Sequence, residues 1–372
     1  MKFSCLKTNI HPVLQLASKI VSTRPTLPVL NNILVKTTDG RIYIESTNLE
    51  LSVKAFVGGK VAKDGGITVP AKLLSEFVSS VPAEKIEFSI KDNALEVQGG
   101  TYQAVFNGID IDEFPEAPQL KGSQKLTVPA SVLADNIPKV VMAAAADEAR
   151  PVITGVLLSI DGDNLVMVAA DGYRLAEKKI KLQEDSGKRN IHLIIPAKSL
   201  VEVQRLLADA GDEEHVEITY DENQAVFAFK DVQISTRILA GQFPDYKQII
   251  PAKNETSIQL KKDELNQAVK TAALFARDSA SVIRFETSQD NKQVLIKAAA
   301  SQVGTNEIAV PAEITGTGGS IAFNSRYVLD FLGAVSADTV SLKINDPLSP
   351  GVLTTGGQGE ESYIYVIMPI RT

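Results

Sequence analysis

Hydrophobic and polar residues along this chain follow two periodicities in turn. Stretches of period two, such as Leu49, Leu51, Val53, Ala55 and Val57, or Ile86, Phe88 and Ile90, carry the in-and-out pattern of a half-buried strand. Between them lie stretches with the spacing of one helix face: Ile10, Val13, Leu14, Ala17 and Val21; Leu73, Leu74, Phe77, Val78 and Val81; Val328, Phe331, Leu332 and Val335. Lys91-Asp92-Asn93 follows one strand run, and Asp221-Glu222-Asn223 stands between Val216, Ile218, Tyr220 and Val226. Such polar turn residues between alternating runs predict antiparallel hairpins.

The change from strand to helix period recurs six times, at Phe3 to Ile10, Ile67 to Leu74, Leu126 to Leu133, Leu193 to Leu200, Ile258 to Leu265 and Ile321 to Val328. The last strand residues, Cys5, Val69, Val128, Ile195, Leu260 and Phe323, are separated by 64, 59, 67, 65 and 63 residues, about half of a third of the 372-residue chain. Each repeat therefore reads as strand, helix and several antiparallel strands, and two repeats make one domain. The expected fold class is α+β, with three similar domains at 1–122, 125–251 and 256–372 and breaks at Gly122-Ser123-Gln124 and Ala252 to Thr256. Pro70, Pro129 and Pro196 are expected in the first helical turn, where a missing N–H costs nothing. Repeated domains with edge strands satisfy them by pairing with the next domain, and a rotation at each step closes a ring.

Composition narrows the possible functions. With Cys5 as the single cysteine, an internal disulfide framework and a multi-thiolate zinc site are excluded. The first residues are amphipathic, and no run approaches the ~18 apolar residues of a membrane span, so a cytoplasmic protein without membrane attachment is expected. A net charge of -7 argues against a broadly basic nucleic-acid surface.

Candidate chemistry is sparse. His11, His192 and His215 have no metal-ligand spacing and are expected to be surface or hydrogen-bonded residues. Gly58-Gly59-Lys60 and Gly316-Thr317-Gly318-Gly319-Ser320 match no phosphate loop and read as turns. Glu50, the acids from Asp110 to Glu116, Asp171 and Asp245 are the raw material for a carboxylate-dependent nucleic-acid enzyme, but they lie in different repeats and read as solvated loop acids. No catalytic residue, cofactor or metal is expected. The apolar C-terminus is unusual: Tyr363 to Ile367 is either a closing core strand or exposed surface, and Met368-Pro369-Ile370 continues past the point where proline permits a central strand. Exposed Met and Ile beside Pro make an adaptable apolar surface for peptides.

Five stretches carry a resemblance to a known family: Arg24 to Leu30, Thr47 to Glu50, Ala170 to Ala176, Phe243 to Tyr246 and Val366 to Arg371. In their order and spacing, over essentially the full length, the chain resembles the bacterial DNA polymerase III sliding clamp (beta subunit). The resemblance implies a non-catalytic processivity factor. It implies a head-to-tail homodimeric ring with helices lining the hole and sheets outside, encircling duplex DNA without sequence preference. Topology, rather than a basic surface, then holds it on DNA, which answers the charge objection. The implied partners are the replicative polymerase, the clamp loader, and other proteins carrying a clamp-binding motif: repair polymerases, ligase and mismatch repair proteins. A peptide-binding scaffold that never meets DNA is the other non-enzymatic alternative.

Residue by residue, the family's partner-peptide pocket falls on Ile153, Gly172, Tyr173, Arg174, Leu175, Pro244, Ile249, Val366, Ile367, Met368, Pro369, Ile370 and Arg371. Apolar walls with Arg174 and backbone groups to orient a peptide are what a short amphipathic segment needs, although Leu175 and Ile153 also suit plain core packing. DNA contacts are implied for Arg24, with Arg150, Lys198 and Arg205 expected on helices of the second domain. Phe106 of one chain is expected near Leu274 and Phe275 of the next, with intradomain core as the alternative. Two departures stand out: Pro151-Val152 where some clamps have adjacent tyrosines, and Gln248 at a position basic in some relatives.

Overall fold

The computed structural model describes residues 1–21, 27–115, 120, 124–161, 163–182, 191–277, 279–290, 292–300, 304–355 and 363–371. Each of the six expected strand-to-helix changes is present. The strands Lys2–Leu6, Gly65–Pro70, Gln124–Pro129, His192–Pro196, Thr256–Lys261 and Ser320–Asn324 lead into helices α1 (Lys7–Ile20), α2 (Ala71–Ser80), α3 (Ala130–Val141), α4 (Ala197–Leu207), α5 (Lys262–Phe275) and α6 (Ser325–Ala334). The helices bury most of the stripes their periodicity predicts, Ile10, Leu14 and Ala17 on α1 and Val328, Phe331 and Leu332 on α6, while on α1 Val13 is only half-buried and Ile20, outside the expected stripe, is buried. The stripe is narrower than expected on α2, where Leu74 and Val78 are buried but Leu73 is 56% exposed.

Pro70, Pro129 and Pro196 end strands rather than opening helices. Pro70 occupies the α2 N-cap with φ -55° and ψ 115°. Proline's fixed φ serves an extended residue as well as a helical one, and the strand stops where its N–H is missing.

The chain forms two compact units. The first comprises Met1–Ser131 and Glu202–Ile238. It contains a five-stranded sheet in the order Gly59–Lys63, Lys2–Leu6, Lys85–Lys91, Ala94–Gly99 and Tyr102–Asn107. The second and third residues of the turn Lys91-Asp92-Asn93 have φ of 45° and 62°. Positive φ at both is what a tight hairpin requires and what Asp and Asn tolerate. Gly59 and Lys60, expected in a turn, instead open a strand. A Cβ on Gly59 would lie 2.6 Å from the Ser4 carbonyl oxygen, so only glycine permits this approach to strand Lys2–Leu6.

The other sheet of this unit has eight strands and joins two distant repeats. Strand Val232–Arg237 pairs antiparallel with Leu51–Val57, placing Ile234 opposite Val53. The edge of one repeat's sheet is thus completed by a strand from another, as edge-strand chemistry requires. His11 departs from expectation: its Nε2 on α1 is shielded from solvent with no hydrogen-bond partner, whereas His192 and His215 are exposed.

The second unit comprises Val132–Val201 and Leu239–Thr372. Its twelve-stranded sheet contains a second junction of the same type, where Arg174–Lys181 pairs with Tyr363–Ile367. Tyr363–Ile367 is therefore a core strand, one of the two readings its apolar run left open. Among the described residues, no helix is long and apolar enough to cross a membrane.

Candidate functional site

The junction in the second unit builds an apolar basin. Alternation along Arg174–Lys181 turns Leu175 to one face and Arg174 to the other, and Leu175 lies opposite Val366, which lies opposite Val352. Leu157, Val166, Val168 and Ile194 extend this patch, and Tyr246 covers it from the segment that follows strand Val232–Arg237, with Val152, Phe243 and Ile250 packed alongside. The Tyr246 hydroxyl donates to Glu177 Oε2 at 2.7 Å, so the covering segment is fastened to the sheet by a buried bond.

At the end of these strands the apolar surface opens to solvent. Tyr173 is 64% exposed, Ile249 41% and Met368 38%. Pro244 and Arg371 are exposed, and Pro369 and Ile370 half-buried. The rim is held by its backbone. Asp171 Oδ1 accepts from the N–H groups of Tyr173 and Arg174 at 2.8 and 2.9 Å, and Gly172 takes φ +92° inside that turn. The Met368 N–H donates to the Tyr173 carbonyl at 2.8 Å, and the Ile370 N–H to that of Ala322 at 2.8 Å. Ile153, Leu175, Val366 and Ile367 are buried, at 6% exposure or less. They shape the floor or sit beneath it, while Tyr173, Pro244, Ile249 and Met368 present the accessible surface.

Arg174, expected to help orient a peptide, is itself held on several sides. Its Nε lies 3.0 Å from Asp171 Oδ2, its Nη1 bonds Asp330 and donates to Tyr365 Oη at 3.2 Å, and the guanidinium sits 4.4 Å from the Tyr327 ring centroid. Burial opposes the charge, but Tyr365, Asp330 and Asp171 outweigh it and hold the guanidinium above its ordinary range. Asp171, expected to be solvated, has a side chain only 13% exposed. It serves as turn cap and counter-ion, while Asp245 is exposed and accepts from Gln248 Nε2 at 2.7 Å.

Sequence reading missed Tyr327, Asp330, Tyr365 and Leu348. Tyr327 and Asp330 stand three apart on α6, the spacing of one helix face, but nothing local says what that face meets. Leu348 is 61% exposed in a turn capped by Asp346, just before strand Gly351–Thr355, whose Gly351 lies opposite Ile367. An apolar residue inside a polar turn was the available signal.

The remaining candidates lie elsewhere. Arg150 precedes the short 3-10 turn Pro151–Thr154 instead of lying on an α-helix, and its Nη2 is 3.4 Å from the Asp171 carbonyl oxygen. Lys198 and Arg205 are on α4; Lys198 Nζ is 3.5 Å from Glu148, and Arg205 bonds Glu202. Arg24 lies outside the described residues. In the first unit, Phe106 is 4% exposed with its ring 5.7 Å from Phe77, edge to face. In the second, Leu274 is 54% exposed and Phe275 half-buried at the end of α5. Among the described residues, no group of three His, Cys, Asp or Glu side chains is arranged to hold a metal ion.

Comparison with known proteins identifies the setting of this basin. The DNA polymerase III beta subunit family matches in three consecutive stretches, its N-terminal domain over residues 1–118, its central domain over 127–245 and its C-terminal domain over 247–371. The chain belongs to this family. It is 32% identical to the beta sliding clamp of Synechococcus elongatus, with 100% of this chain and 99% of that one covered, and 29% identical to that of Bacillus subtilis, with 100% of each covered. The fold matches the crystal structure of the Bacillus subtilis sliding clamp at TM-score 0.93 and 28% identity, covering 100% of this chain and 99% of that one. It matches the Pseudomonas aeruginosa sliding clamp bound to griselimycin at TM-score 0.93 and 27% identity, covering 100% of each chain. This clamp chain is thus a non-catalytic DNA sliding clamp and processivity factor of DNA polymerase III.

Proposed function

We propose that two copies of this clamp chain close head to tail into a ring around duplex DNA, and that the basin around Leu175, Val366 and Met368 tethers polymerases to it through a short apolar peptide. The single observation that carries the tethering is the rim: exposed Tyr173, Ile249 and Met368 stand beside a buried, packed apolar floor. Rigid apolar walls beside exposed backbone groups are what a peptide anchor needs. The pocket is completed by Ile153, Gly172, Pro244, Ile367, Pro369, Ile370 and Arg371. Arg150, held against the Asp171 carbonyl, belongs with the pocket rim more than with a DNA path.

On this reading each chain divides into three domains at 1–122, 125–251 and 256–372, and Leu274 and Phe275 meet the Phe106 edge of the next chain. Arg24, Lys198 and Arg205 supply weak phosphate contacts that carry no sequence information and permit sliding. Clamp loader, repair polymerases, ligase and mismatch repair proteins share the one pocket, in the cytoplasm.

The test is retention on primed circular DNA after loading, followed by linearisation at a salt concentration that screens surface charge. Release on linearisation alone is expected. Release by salt regardless of DNA ends would leave an ordinary binding protein. Carboxylate chemistry is checked in parallel: Asp171→Asn and Asp245→Asn should alter no metal-dependent nuclease activity.

A further inference from the structure

We infer that Ser52, Gln233 and Ser235 are specificity-determining residues that confine the partner peptide to one of the two strand junctions in each chain; the inference rests on the peptide-pocket reading above. The two junctions are built alike, each within its own unit. In the first, Ser52 lies opposite Ser235, which lies opposite Val226. In the second, Leu175 lies opposite Val366, which lies opposite Val352. The turns that lead into them also match. Asn48 Oδ1 accepts from the N–H groups of Glu50 and Leu51 at 3.0 and 2.8 Å around Leu49 at φ +76°, just as Asp171 caps Tyr173 and Arg174 around Gly172 at φ +92°. A Phe-Pro pair stands beside each floor, Phe114-Pro115 at the first junction and Phe243-Pro244 at the second.

What differs is the chemistry of the floor. The pairing register puts Ser52 in the place of Leu175, Ser235 in that of Val366 and Gln233 in that of Ile364. One row farther from the turn, Glu45 and Lys54 form an ion pair at 3.0 Å in the places of Val168 and Glu177. Val53 and Ile234, at 1% and 0% exposure, turn to the opposite face and keep the core intact.

A cavity of about 630 Å³ stands over the first junction, within the size range of a ligand pocket. Its shape admits a peptide, but its floor of hydroxyls, an amide and an ion pair refuses an apolar anchor. Such an anchor strips water from groups it cannot hydrogen-bond and gains no apolar contact in return. Ser52 and Ser235 are half-buried and Gln233 is exposed, so none of the three is needed for core packing. Their polarity acts on what can bind.

The experiment titrates the full chain with a short synthetic peptide copied from the clamp-binding segment of its own polymerase, and reads stoichiometry by calorimetry. Wild type should take one peptide per chain. The triple variant Ser52→Leu, Gln233→Ile, Ser235→Val should take a second one, bound at the first junction about tenfold to a hundredfold more tightly than wild type binds there. Adding Leu49→Asp at the mouth of that cavity should remove the second equivalent and leave the first. Thermal unfolding should change little in any of these. If the triple variant melts early, the pair Ser52→Leu, Ser235→Val is read by the same criterion. A second equivalent already present in wild type would overturn the inference. So would its absence from a variant that melts normally, or its survival of Leu49→Asp. Failure of wild type to bind the peptide at all would instead sink the pocket reading itself.

Discussion

Tyr246 donates its hydroxyl to Glu177 across 2.7 Å, and that bond ties the Phe243 to Ile250 segment to the strand that carries Leu175. Glu177 is 2% exposed, with Lys179 Nζ 3.6 Å from its other oxygen. Removing the hydroxyl leaves a buried carboxylate oxygen short of a donor. Tyr246→Phe is therefore expected to cost about 1–3 kcal/mol, read as a lowered denaturation midpoint, with weaker partner-peptide binding because the covering segment loosens. Unaltered stability would show that water replaces the phenol at no cost.

The C-terminal residues make backbone bonds through Met368 and Ile370 to Tyr173 and Ala322, yet they lie beyond the core strand Tyr363–Ile367. Deleting Met368 to Thr372 should abolish polymerase and loader binding at a stability cost of roughly 1–3 kcal/mol, leaving the dimer intact. Sedimentation combined with peptide titration separates the outcomes. A monomeric, unfolded product would make these residues part of the core.

Phe106 and Leu274 should behave differently. Phe106 is buried against Phe77, so Phe106→Ala is expected to destabilise the chain by about 3–5 kcal/mol. Leu274 is exposed on α5, and Leu274→Asp should leave unfolding nearly unchanged while shifting sedimentation toward monomer. A dimer that survives Leu274→Asp would place the interface elsewhere.

Burial pushes the Cys5 thiol up from its ordinary 9.0 to about 12. The folded state keeps a proton that the unfolded chain releases above pH 9, so this group's contribution to stability is present at neutral pH and is lost as pH rises through that interval. At pH 8 Cys5 should resist a thiol reagent in the native protein and react at once in denaturant. Rapid labelling of the native chain would mean that strand Lys2–Leu6 opens readily.

Lys198 and Arg205 each lie near an acid on or beside α4. Replacing both with Ala, or Arg24 alone, should weaken loading onto DNA and flatten its salt dependence, with thermal stability nearly unchanged. Loading that matches wild type across a salt series would remove these residues from the DNA path.

Local pattern left Tyr363–Ile367 open between core strand and exposed surface, but it was enough for the six strand-to-helix changes and the Asp92-Asn93 turn, because helix stripes, strand alternation and turn chemistry are properties of neighbouring residues. The exposed apolar end at Met368 was legible for the same reason. Which strands meet was not: Arg174 and Tyr365 are 191 residues apart in the chain and hydrogen-bonded in the fold. The seats of Pro70 and Gly59, the unpartnered nitrogen of His11 and the capture of Arg174 by Asp330 also depended on what packed against each residue. Sequence by itself determined the elements and the residues available for a pocket. Only tertiary structure decided that Leu175 faces the basin while Arg174 turns away toward Asp330, because strand pairing and helix docking join parts of the chain that no local period connects.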